Sequence, residues 1–86
     1  MTTKDYLVVF ALGCADVLRS IAGDNFNQVD IAIQMLLSRK PKHGALFENG
    51  LRAVLLSPPN SRIKVIYEID EENCVVYVVK IIGITH

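Results

Sequence analysis

The 86-residue sequence is 51% hydrophobic and 21% charged, with nine Lys and Arg balanced by nine Asp and Glu. That composition describes one small packed domain over residues 1–86 and excludes a disordered chain. No apolar run approaches the roughly 18 residues of a membrane helix.

The opening MTTKDYLVVFALGCADVLRS is not read as a signal peptide, because Asp5 and Asp16 flank its apolar run and Arg19 follows. The two cysteines, Cys14 and Cys74, form no CxxC and no metal-ligand spacing. They are expected as small apolar residues of a protein in the reducing cytoplasm. Charge is unevenly spread. Residues 39–66 carry Arg39, Lys40, Lys42, Arg52, Arg62 and Lys64 against Glu48 alone. Such a segment suits a polyanion or an acidic partner as well as it suits ordinary solvated surface.

In chain order, YLVVFA (6–11) is β-branched and aromatic and predicts a strand that Gly13 ends. From Cys14, the residues Ala15, Val17, Leu18, Ile21 and Ala22 recur at helical spacing and predict an amphipathic helix closing near Gly23. Asn25 is expected to cap a second helix, with Gln28 at the capping-box position. Its apolar set, Val29, Ile31, Ala32, Ile33, Met35, Leu36 and Leu37, is broad enough to be largely buried. Pro41 and Gly44 forbid its continuation. Three strands follow, 51–57, 61–70 and 74–82, separated by PPN and EEN, spacers short enough for antiparallel hairpins. The expected fold is a two-layer α+β domain, an N-terminal strand and helical hairpin packed on an antiparallel sheet, β-α-α-β-β-β.

Period-two alternation places Ile63, Val65, Tyr67 and Ile69 on the core face of the middle strand and Arg62, Lys64, Ile66 and Glu68 on the opposite one. The opposite face is expected to gather Val76, Val78, Val54 and Leu56 around its cations, with Arg52 within reach. Apolar residues flanking cations describe a contact surface, suited to a phosphate backbone or an acidic peptide.

The phrase RIKVIYEIDEENCVVYVVKI, preceded by GLRAVLL, resembles the RelE/ParE superfamily of toxins from bacterial type II toxin–antitoxin pairs. The resemblance runs from Tyr6 to Ile82, and the hairpin is its specific part. RelE-type members are ribosome-dependent, metal-independent endoribonucleases that drive the 2′-OH of messenger RNA onto the adjacent phosphate. That reaction needs a base, cations for the pentacoordinate phosphate and an acid for the leaving oxygen.

Carried over position by position, the resemblance implies Lys64 as the hairpin cation, with Arg62 two residues earlier on the same face. It implies Arg52 and Lys80 as ligands of RNA phosphates, while a second cation of the family falls on Val54 and is lost. Lysine in place of the family's arginine removes the bidentate fork. At IIGITH, Gly83 matches, but no basic residue follows it and no Tyr lies beyond Tyr77. His86 is then the third candidate catalytic residue, since some members use a His near the terminus; His43 is a weaker one.

These departures and the neutral charge fit ParE-type DNA gyrase inhibitors as well, although the hairpin is more RelE-like. A degenerate member that only binds its antitoxin is a third reading. All three imply a cognate antitoxin wrapped around apolar sheet-face or helix-groove surface. The first adds ribosome and mRNA as partners, and the second gyrase. No cofactor, metal or membrane is implied, and a heterotetramer and a homodimer are both open.

Overall fold

The computed structural model describes residues 5–57 and 62–84. Strand β1 (Leu7–Phe10) leads to helices α1 (Cys14–Ala22) and α2 (Phe26–Arg39), then to β2 (Ala45–Leu46), β3 (Arg52–Leu56), β4 (Arg62–Asp70) and β5 (Val75–Ile84). The sheet runs β1-β5-β4-β3-β2. The three expected strands β3, β4 and β5 are antiparallel as foreseen, β2 adds a further antiparallel strand, and β1 lies parallel to β5, so the sheet is mixed. A parallel partner needs a crossover, and α1 and α2 begin it. That places both helices over one face of the sheet.

Gly13 starts α1 from φ 88°, a left-handed backbone that glycine reaches without cost. Cys14, Leu18 and Ala22 are the buried stripe of α1, and Val29, Ile33 and Leu37 that of α2; both follow i, i+4, i+8. The stripes meet Val54, Ile63, Val65, Tyr67, Val76, Val78 and Ile81 of the sheet in one core cluster. Helix α1 crosses β5 closely, for a Cβ at Gly83 would stand 3.1 Å from the Ile21 side chain.

Two helical expectations are corrected. Asn25 makes no side-chain cap, because a 3-10 turn (Gly23–Asn25) runs directly into α2 and holds Asn25 at φ −89°, ψ 8°, outside the extended backbone of a capping residue. The apolar set of α2 is also wider than its buried stripe. Ile31 and Met35 are exposed, since only one side of the helix meets the sheet.

Strand β2 was not expected. It pairs with β3 through the turn Glu48–Leu51, in which Asn49 (φ 52°) and Gly50 (φ 80°) take the left-handed backbone of a hairpin turn. Phe47 N–H donates to Leu51 O and Leu51 N–H to Glu48 O, so Phe47 and Glu48 both oppose Leu51 in a bulge. Cys74 lies in the β4–β5 turn rather than in a strand, at φ 55°, and both cysteines are free. Among the described residues no helix is long and apolar enough to cross a membrane, and no cluster of three His, Cys, Asp or Glu could hold a metal.

Candidate functional site

Strand pairing decides which side chains share the face away from the helices. On β4, the expected alternation holds: Ile63, Val65 and Tyr67 are fully buried against the helices, leaving Arg62, Lys64, Ile66 and Glu68 outward. On β5 the expected face is reversed. Val76 and Val78 are fully buried, paired with Ile69 and Tyr67, and belong to the core. Between Val78 and Lys80 the register slips by one residue, so Val79 is a bulge and Ile81 and Gly83 resume the inward set. Val54 and Leu56 likewise face inward, opposite Val65 and Ile63, while Ala53 and Leu55 face out.

The outer face is thus built in rows. Asp70, Val75 and Leu7 form one end, followed by Glu68, Tyr77 and Val9. Next come Ala45, Ala53, Ile66 and Lys80, then Leu55, Lys64 and Ile82, and last Arg62 and Ile84. Lys80, Lys64 and Arg62 therefore occupy three successive rows, and the acids Glu68 and Asp70 lie at the opposite end. Successive outward rows are about 6.6 Å apart along a strand. This gives the face a cationic half and an acidic half.

Phe47 continues the outward side of Ala45 and reaches onto this face from the β2–β3 turn. Lys64 Nζ sits 4.6 Å from the centroid of its ring. The two residues are separated by the row of Ala45, Ala53 and Ile66, so they meet by leaning toward each other across small side chains. Ile66, on the outer face yet only 6% exposed, lies in that intervening row. Phe47 as a residue remains 46% exposed.

Arg52 stands elsewhere. It pairs with Tyr67, on the side away from Lys64, and its Nη1 donates to Gly44 O at 2.7 Å and Lys42 O at 3.3 Å. Tyr67 Oη donates to Pro41 O at 2.7 Å and accepts the Gly44 N–H at 2.9 Å. Together these side chains fasten residues 41–44 to the sheet. Gly44 is obligatory there, because a Cβ would come within 2.5 Å of Tyr67 Oη and 2.8 Å of Ala53 O. Burial pushes the Tyr67 phenol above its ordinary value, against the lowering pull of its Gly44 hydrogen bond. Lys42 reaches Glu71 at 2.7 Å across the β4–β5 turn; their pairing raises the lysine and lowers the carboxyl.

Of the residues singled out from sequence, the structure brings Arg62, Lys64 and Lys80 together and sets Arg52 apart as a loop fastener. The positive segment 39–66 is accordingly divided, part fastening or flanking the 41–44 turn and part crossing the outer face. His86 lies outside the described residues, and His43 sits exposed in the 3-10 turn Pro41–His43. Phe47 was missed, although the Asn49-Gly50 dipeptide after it is a strong hairpin signal. A concave surface lies between α2 and β1. This groove of about 350 Å3 is lined by Tyr6, Leu7, Val8, Gln34, Met35 and Arg39 among others.

No family model matches the sequence, and no curated protein matches it. Solved structures do. The RelBE2 toxin–antitoxin complex of Mycobacterium tuberculosis contains a chain that superposes at TM-score 0.75 and 18% identity, over 99% of this chain and 98% of that one. The intact E. coli RelBE complex gives TM-score 0.69 at 18% identity, over 94% and 98%. The isolated E. coli RelE toxin gives 0.68 at 17%, over 94% and 86%. The chain has the RelE-like toxin fold.

Proposed function

We propose that the chain is the toxin of a type II toxin–antitoxin pair and that it blocks translation by cleaving ribosome-associated mRNA across the outer face of its sheet. The observation that carries this reading is the row of cations Lys80, Lys64 and Arg62 on the open face of a RelE-like fold. A phosphate backbone laid along them would be met in turn by an ammonium, a second ammonium and a guanidinium, and charge developing on a pentacoordinate phosphorus is stabilised by such fixed donors. Lys64 and Arg62 hold the reacting phosphate and Lys80 holds a flanking one. His86 is assigned the proton transfer, as base toward the 2′-OH or acid toward the leaving 5′-oxygen. Arg52 serves the site from behind, by positioning residues 41–44.

The partner in this reading is an antitoxin, as in the RelBE complexes that share the fold. An amphipathic antitoxin segment would cover the groove between α2 and β1, where Met35 (47%) is exposed. The free edge of β1 runs beside that groove.

The test is a pulse of labelled amino acid into bacterial cells minutes after tightly controlled induction. A rapid fall in incorporation, abolished by folded Lys64→Ala and Arg62→Ala variants, is the expected outcome. Arrested growth with unchanged early incorporation would instead place the target at DNA gyrase. Normal growth and synthesis would leave antitoxin binding as the remaining function.

A further inference from the structure

Phe47 is set on the outer face in a manner that a solvated turn residue does not require. A large apolar ring at a hairpin tip has no structural obligation to lie over a sheet. Here its bulge and the small Ala45 and Ala53 bring it over the face, where Lys64 Nζ rests at 4.6 Å from its centroid. The residue is nearly half open to solvent. The cations begin at the neighbouring row and run away from the ring toward Arg62, whereas Glu68 stands two strands away in the ring's own row and Asp70 one row beyond it. An aromatic face at the head of a cationic track is the pairing that single-stranded nucleic acid recognition uses, bases on rings and phosphates on cations.

Resting on the RNA-cleaving reading, we propose that Phe47 is a binding residue whose ring stacks on one unpaired RNA base, while Lys64 leaves the ring for the phosphate beside that base. In the free protein the cation–π contact holds both side chains in place: Lys64 is kept at the surface and the ring is kept over the sheet face. RNA replaces one partner of each. A base takes the open ring surface and a phosphate takes the ammonium, so neither group is stranded. Any base has a face to stack, and the site therefore selects for an unpaired nucleotide rather than for a sequence.

The chain has no tryptophan, which makes Phe47→Trp a single-site reporter. Binding of a fluorescent decauridine RNA is followed by anisotropy and compared with an abasic RNA decamer of the same length and charge. Phe47→Ala and Phe47→Leu should weaken decauridine binding about 5- to 150-fold, the range for loss of one stacked base. Both should leave abasic binding within about twofold. Leucine keeps an apolar side chain at this half-exposed position, so its thermal unfolding should match the parent even as stacking is lost. Phe47→Trp should bind decauridine normally, with its fluorescence quenched by that RNA and not by the abasic one. Lys64→Gln should weaken both RNAs. Decauridine bound with an affinity indifferent to Phe47, or equal losses on both RNAs, would overturn the stacking role and leave the RNA-cleaving reading intact. No binding of either RNA by the parent, together with undiminished translation on induction, would remove both.

Discussion

Replacing Tyr67 by Phe removes one oxygen and keeps the ring, so the core packing of this fully buried residue is preserved. What is lost is the bridge between Pro41 O and Gly44 N–H, at 2.7 and 2.9 Å. The Gly44 N–H is buried, and the Cβ-sized gap beside it is already filled by Tyr67 and Ala53, so water has little room to take the place of the hydroxyl. A buried donor left unpaired costs about 1–3 kcal/mol. For a domain of this size, a loss of about 2 kcal/mol corresponds to roughly 8–16 °C in Tm. Urea unfolding followed by far-UV circular dichroism should show the midpoint falling with the slope unchanged, and the Gly44 amide should exchange faster with deuterium.

Alkaline pH supplies an independent sign. Burial raises the Tyr67 phenol above its ordinary 10.0, so the folded chain holds that proton more tightly than the unfolded chain does. The stability this contributes is complete below the unfolded value and is lost as pH climbs through the folded one. Tyr67→Phe should therefore reduce the loss of stability above about pH 10 relative to the parent. A change below about 0.5 kcal/mol with unaltered Gly44 exchange would refute the fastening role.

Arg52→Ala removes the donor to Gly44 O and Lys42 O; it should cost about 1.5–3 kcal/mol in urea unfolding and change RNA affinity far less than Lys64→Ala, as read by anisotropy. Equal losses in affinity would return Arg52 to the phosphate site. Val78→Lys should prevent folding, whereas Val79→Lys, one residue along and 37% exposed at the bulge, should stay within about 0.5 kcal/mol of the parent by the same unfolding assay. Tolerance of both would refute the inward placement of Val78.

Much of this fold is legible in the amino-acid sequence. Period-two alternation in RIKVIYEID divides that strand correctly because all its outward positions but Ile66 carry charge, so Ile63, Val65 and Tyr67 declare themselves as core. The helical stripes of Cys14, Leu18 and Ala22 and of Val29, Ile33 and Leu37 are equally readable from spacing. The next strand resists the same treatment. VVYVVKII is apolar at nearly every position, so no sequence contrast says whether Val76 or Tyr77 points inward. Its pairing with β4, its parallel pairing with β1 and the slip at Val79 settle the matter.

The site divides along the same line. Sequence alone determined that Arg62 and Lys64 share an outward face, because both sit on one strand two residues apart. Tertiary structure decided that Lys80 joins them, that Arg52 does not, and that Phe47 stands over Lys64. Those outcomes depend on register between strands and on hydrogen bonds spanning many residues of chain, as in Tyr67 with Gly44, 23 positions apart. Local periodicity carries no information about such distances; only the packed sheet sets them.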